Sequence, residues 1–213
     1  MLMRFAVLLL TILVVPTACG QANMVERFQA GQHYQAIDPP VPSTAPAGKV
    51  EVVEALSYAC PHCATFQEDV DRWKAGAANA HFVYLPAAWS PQWEAFARAY
   101  YAAEQLGILT RSHHALFKAL HVEHAPIRNI EDLAQWYTQY GVTKEQFLEA
   151  FNSSETTAKI AKSRELIPAY RIDATPTIVV AGKYRVTGEM VGSNAAVFEV
   201  VNFLVDRELA AKN

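Results

Sequence analysis

Apolar and polar positions follow two different periods along this chain, and the changes of period divide it into segments. Residues 49–56 are rich in Val and nearly continuous in apolar character, interrupted by Glu54. That pattern predicts a strand in a sheet covered on both faces. From Cys60 to Lys74 the period becomes helical, with Phe66, Val70 and Trp73 on one stripe and Gln67, Glu68, Asp69 and Asp71 between them. Pro61 suits the first turn of that helix, where its missing N–H costs nothing. Residues 81–85 read as a second strand, which completes a βαβ unit. Upstream, residues 28–37 form a lead-in with a short strand at 33–37. Residues 38–48 hold Pro39, Pro40, Pro42 and Pro46 and predict an extended connector.

The middle of the chain is helical throughout. The spacing predicts helices over 93–106, 111–121, 129–140, 143–151 and 155–170. Thr143 with Gln146 has the spacing of a capping box, and Asn129 is placed to cap the helix behind it. Gly107 and Gly141 sit where helices stop. Strand character returns at 177–180 and 184–187, joined by Ala181-Gly182-Lys183 as a hairpin. A last helix is expected over 194–209, with Val197, Val201, Leu204 and Val205 on one face. The order is therefore α/β, then a run of helices, then α/β again.

The N-terminus stands apart from this pattern. Met1 to Arg4 is a positive start, residues 5–15 are an eleven-residue apolar run, and Pro16 to Ala22 is small and polar. This is the layout of a secretory signal peptide. Eleven apolar residues cannot span a bilayer, which takes about 20, and no later segment reaches that length without charges. Residues 1–22 are therefore expected to be an export signal, and the mature chain is expected to lack a transmembrane helix. Cleavage after Gly20 or Ala22 both suit the small residues there. The alternative is a lipoprotein-type cut before Cys19, which would leave a lipid anchor on Cys19; Pro16 is a poor match to that site.

Composition narrows the partners. The chain has 213 residues, 52% hydrophobic and 18% charged, with a formal net charge of −3. No run of basic residues offers a phosphate-binding surface, which argues against nucleic acid. Protein and small-molecule partners remain open.

Cysteine usage then carries the chemistry. Of three cysteines, Cys19 sits in or beside the export signal, so the folded domain keeps Cys60 and Cys63. A disulfide between them would close a very short loop and restrain the unfolded chain little, since stabilisation grows with loop length. The pair is a poor staple and a good redox switch. It lies where a strand ends and a helix starts, and there unpaired N–H groups and the positive helix end favour a thiolate. Cys60, at the first turn and facing solvent, is expected to be the attacking thiol; Cys63, nearly one turn further in, the resolving thiol. His62 beside Cys60 can donate an N–H and, when protonated, a positive charge. Each pH unit of thiol depression is worth about 1.4 kcal/mol, or about 30 mV for a two-electron couple.

Two further features surround the pair. Glu54 is a carboxylate in an apolar strand, six residues before Cys60. It is either a proton donor or acceptor for Cys63, or an edge-strand carboxylate facing water. Pro176, in Ala174-Thr175-Pro176-Thr177, either simply starts the next strand or forms a cis bond that sets the Thr175 backbone beside the disulfide, free to pair with an extended peptide. A zinc site would need four ligands. Cys60 and Cys63 supply two, and His113, His114, His121 and His124 are spaced unlike a zinc knuckle; surface or capping positions suit them better.

Taken together, Gly31-Gln32-His33-Tyr34, Glu54, Cys60-Pro61-His62-Cys63, the helical middle and Pro176 resemble the DsbA family of bacterial periplasmic disulfide oxidases. The resemblance spans nearly the whole mature chain. It implies a thioredoxin-like fold, residues 23–90 and 169–213, with an inserted all-helical domain over 91–168. It implies a protein-disulfide oxidase with Cys60 as nucleophile, Pro176 as a cis proline and no metal or organic cofactor. Its implied partners are exported proteins with cysteines and a membrane oxidase of the DsbB type, the enzyme itself being a monomer. A disulfide isomerase or reductase, and a redox-inactive chaperone or peptide-binding lipoprotein, are the alternatives. Two positions depart from the family's best-known member. Thr175 stands where that protein has Val, and residues 81–85 lack the lysine that pairs there with the buried glutamate.

Overall fold

A computed structural model describes residues 27–211. The expected export signal, with Cys19, lies outside the described residues. The elements are β1 (Gln35–Ala36), β2 (Val50–Leu56), α1 (Pro61–Lys74), β3 (Ala80–Pro86), α2 (Pro91–Gln105), α3 (Leu109–His121), α4 (Ile130–Tyr137), α5 (Lys144–Asn152), α6 (Ser154–Ala169), β4 (Thr177–Val180), β5 (Tyr184–Val186), α7 (Gly188–Val191) and α8 (Asn194–Ala210).

The strands form one mixed sheet in the order β1-β5-β4-β2-β3. β2 runs parallel to β3, as the α1 crossover requires, and antiparallel to β4. Every residue of β2 is buried. Side chains alternate across a strand, so Val50 and Val52 face α1 and α8 in one core with Phe66, Trp73 and Phe198. Val53 and Ala55 face the other way, against Ile167 and Tyr170 at the end of α6. A third core joins Leu56, Tyr58, Cys60 and Cys63 to α2, α3, α4 and α5. The redox pair therefore sits where sheet and helices meet.

Caps explain where the helices begin. Ser90 accepts from the Trp93 N–H ahead of α2, Asn129 from Asp132 ahead of α4, and Thr143 with Gln146 forms the expected capping box. The helix expected over 129–140 tightens into a 3-10 turn at Thr138–Tyr140 and stops at Gly141, whose φ of 88° suits glycine. The strand expected over 33–37 shrinks to two residues, because Gly31 to Tyr34 close a turn instead. Two features had no sequence signal. One is the single-turn helix α7. The other is the cis Asp38–Pro39 bond in the connector. Gly182 is required in the hairpin turn: its φ is 66°, and a Cβ there would lie 1.9 Å from the Val41 carbonyl oxygen. That close approach docks the proline-rich connector on the hairpin, with the Val41 N–H donating to the Gly182 carbonyl at 2.9 Å.

Candidate active site

The end of β2 delivers Ser57, Tyr58 and Ala59, and Cys60 then caps α1. Its backbone is extended (φ −96°, ψ 113°), and its sulfur accepts the Cys63 N–H at 3.4 Å. Cys60 and Cys63 both carry free thiols. Cys60 is only 6% exposed and Cys63 is fully buried. Cys60 therefore presents a small edge to solvent rather than standing open as the sequence suggested, because the chain at Thr175 covers it. Its Sγ lies 3.4 Å from the Thr175 carbonyl oxygen.

The two thiols are pushed apart. Cys60 is lowered from an ordinary 9.0 to about 5, chiefly by a hydrogen bond from the Cys63 thiol, against the opposing effect of burial. The Thr175 hydroxyl and the backbone N–H groups of Cys63 and His62 add to the lowering. That hydroxyl is buried and has no other hydrogen-bond partner, so it is free to turn to the sulfur. Burial, followed by the adjoining Cys60, drives the Cys63 thiol far upward. One sulfur is thus a stable anion, and the other is protonated unless a base takes its proton. At His62 it is the backbone N–H that acts on Cys60; the ring is exposed and lines a neighbouring cleft.

The Thr175–Pro176 peptide bond is cis. Thr175, Pro176 and His62 border a cleft of about 660 Å³ that continues along Arg185, Glu189 and Met190. The cleft reaches Cys60 through Thr175, whose carbonyl oxygen lies 3.4 Å from Cys60 Sγ.

Glu54 is fully buried. β2 lies between β3 and β4, so the edge-strand reading is wrong. Burial raises its carboxyl from 4.5 to about 8, opposed by a hydrogen bond from Gln67 and by Lys74. The Gln67 amide donates to Glu54 Oε1 at 2.9 Å and to the Cys63 carbonyl at 3.3 Å. Lys74, at the end of α1, supplies the positive charge that residues 81–85 lack. The same register that pairs Glu54 with Tyr84 puts both on the α1 face.

Sequence reasoning assigned Gln67 to the polar side of α1, yet it is 2% exposed. Its position four residues after Cys63, on the same helix face, was the available signal. His113 was read as a surface or capping residue; it is buried, with its ring against Tyr58, Tyr84 and Tyr100. His121 Nε2–H donates to the Tyr58 carbonyl, 2.7 Å away, and His114 pairs with Asp71 at 3.0 Å. Among the described residues no three His, Cys, Asp or Glu side chains are grouped to hold a metal.

A parallel βαβ unit with a cysteine capping its helix, a second cysteine one turn in and a cis proline alongside defines a thioredoxin-like dithiol protein. The chain belongs to the DsbA family: residues 86–198 match the family model described as a DSBA-like thioredoxin domain. It is 33% identical to the thiol:disulfide interchange protein DsbA of Pseudomonas aeruginosa over 205 residues, covering 96% of this chain and 97% of that one. The Burkholderia cepacia protein of the same name is 33% identical over 83% of this chain and 84% of its own. Among solved structures, the oxidoreductase DsbA from Xylella fastidiosa superposes with a TM-score of 0.79 at 40% identity, covering 85% of this chain and 98% of that one. Pseudomonas aeruginosa DsbA superposes with a TM-score of 0.82 at 34% identity, covering 88% and 98%.

Proposed function

We propose that this protein is a thiol:disulfide oxidoreductase that introduces disulfides into exported proteins at Cys60 and Cys63. The observation that carries the direction is the split between the two thiols: Cys60 is lowered to about 5, so it is a good leaving group and its reduced form is favoured.

The cycle starts with the Cys60–Cys63 disulfide. A substrate thiolate in the cleft attacks Cys60 Sγ, the S–S bond breaks, and Cys63 leaves as a thiolate. Glu54, protonated near neutral pH because burial holds it at about 8, gives its proton to Cys63. A second substrate thiolate attacks the substrate sulfur of the mixed disulfide and expels Cys60 as its stable thiolate. The substrate gains a disulfide, and the enzyme keeps two electrons as reduced Cys60 and Cys63. Reoxidation reverses the roles. The Cys60 thiolate attacks a disulfide of the membrane oxidase and expels one of its thiolates. Glu54 takes the Cys63 proton, and Cys63 attacks Cys60 Sγ in the mixed disulfide and expels the second oxidase thiolate, which leaves the oxidase with the two electrons. The Thr175 backbone beside Cys60 and the cis Pro176 hold the substrate strand.

The partners in this reading are exported proteins with cysteines and a membrane oxidase of the DsbB type, with the enzyme acting as a periplasmic monomer. The signal-like residues 1–22 support export, ending in either a free mature chain or a lipid tether at Cys19. No helix among the described residues is long and apolar enough to cross a membrane. Residues 23–90 and 169–213 act as the thioredoxin-like unit, and 91–168 as the helical insertion above the site.

Equilibration of the pair against glutathione tests the direction. The expected result is a potential well above that of thioredoxin, with disulfide formation in a reduced substrate abolished by Cys60→Ser. A thioredoxin-like potential would sink the oxidase reading.

A further inference from the structure

We propose that Gln67 is the positioning residue for the Glu54 carboxyl, with its amide orientation set by His113 and Tyr58 at the junction with the helical layer. This rests on the reading that Glu54 exchanges a proton with Cys63.

An amide has a donor end and an acceptor end, and they act oppositely on a carboxyl. The donor end favours the carboxylate, and the acceptor end favours the acid. The environment of Gln67 selects one of them. Its Oε1 lies 3.1 Å from the Tyr84 hydroxyl and 3.1 Å from His113 Nε2. His113 Nδ1 lies 2.8 Å from the Tyr58 hydroxyl. One arrangement satisfies every contact. The neutral His113 ring carries its proton on Nε2 and donates to Gln67, while Tyr58 donates to the bare Nδ1. The buried site enforces that neutral ring: burial lowers His113 to about 3, and His114 and Lys74 push the same way. With two donors on its oxygen, the amide must turn its NH₂ to Glu54 Oε1 and the Cys63 carbonyl.

The result is a one-way series of donors, from Tyr58 through His113 and Gln67 to Glu54. It starts on the segment before Cys60, passes through α3 and α1, and ends at β2. Glu54 Oε2 is left buried and without a hydrogen-bond partner, and the charge of Glu54 is among the causes that hold the Cys63 thiol up. The other charged and titratable groups around Glu54 are accounted for. Lys74 favours the carboxylate, Asp71 and Cys60 oppose it, and the Tyr84 and Tyr100 hydroxyls are held protonated by burial.

The consequence is directional. A buried acid without the amide donor stays protonated and can still give its proton to the leaving Cys63. It can no longer take that proton back. Loss of Gln67 or His113 therefore slows the closing of the disulfide by Cys63, not the first attack on Cys60.

The experiment titrates the Glu54 carboxyl band by infrared spectroscopy in the purified reduced protein, with the band assigned by its loss in Glu54→Gln. The expected midpoint lies near 8 in the wild type and rises by about one to two pH units in Gln67→Leu and His113→Phe, the worth of a hydrogen bond to a charged group. His113→Gln keeps an N–H donor and should return towards the wild-type value. Tyr58→Phe removes only the hydroxyl that faces His113 Nδ1 and should shift the midpoint less, in the same direction. Stopped-flow exchange with glutathione supplies the second readout: closing from the Cys60–glutathione mixed disulfide should slow about tenfold at pH 7 in Gln67→Leu, with attack on the oxidised pair unchanged. A midpoint that stays within about 0.3 unit in Gln67→Leu and His113→Phe overturns the positioning proposal. If Glu54→Gln alters neither rate, the proton-exchange reading of Glu54 is wrong, whatever the midpoints do.

Discussion

Lowering the pH from 7 to 4 should erase the extra stability of the reduced enzyme over the oxidised one. The Cys60 thiol is lowered from an ordinary 9.0 to about 5 by the Cys63 thiol, Thr175 and the backbone N–H groups at the start of α1. A group whose folded pKa is depressed stabilises fully above its unfolded pKa, and the effect is lost as pH falls through the folded value. At pH 7 the two units between 7 and about 5 correspond to about 2.7 kcal/mol in favour of the folded thiolate. The same energy shifts the two-electron couple by about 60 mV towards a stronger oxidant. Only the depression below the working pH counts, so a thiol pushed further up or down above pH 7 would change nothing there. Urea denaturation of both redox forms at half-unit steps should show the gap shrinking by about 1.4 kcal/mol per unit between pH 7 and 5, and levelling below. The buried Cys63 stays protonated in that window, so it does not mimic the effect. Iodoacetamide alkylation of Cys60 in parallel should report a midpoint near 5. A gap that stays constant from pH 7 to 5, or an alkylation midpoint of about 8 or above as in an ordinary thiol, would refute the reasoning.

Two other outcomes follow from the same geometry. Burial raises Glu54 from 4.5 to about 8, so the folded state binds more protons than the unfolded state in between and loses stability as pH rises. Glu54→Gln should gain on the wild type with rising pH, by about 3 kcal/mol at pH 7; a difference that does not change with pH contradicts a protonated Glu54. Gly182→Ala sets a Cβ 1.9 Å from the Val41 carbonyl oxygen at a φ of 66°. It should cost about 3 kcal/mol or more in urea denaturation and open the proline-rich connector to limited proteolysis, and a wild-type midpoint would show that the connector does not dock there.

Much of this protein follows from local spacing. The apolar run of β2, the change of period at Cys60, the caps at Asn129 and Thr143 and the hairpin around Gly182 are each decided within a few residues. Period and capping are short-range properties, so the α/β class and the place of the two cysteines at a helix start were legible from the residues. What the tertiary structure decided is everything that joins distant segments. Glu54 is a carboxylate in a strand by sequence; that β4 inserts beside β2 and buries it is a matter of sheet order. Gln67 looks like part of a polar face, and His113 like a surface histidine, until α1 and α3 close over the same carboxyl. Thr175 lies 115 positions from Cys60 in the chain, and its carbonyl oxygen 3.4 Å away in space. Protonation is set by burial and by partners brought from other elements. The sequence could therefore name the reactive pair, while only the packed structure separates its two thiols and shows what holds the proton between them.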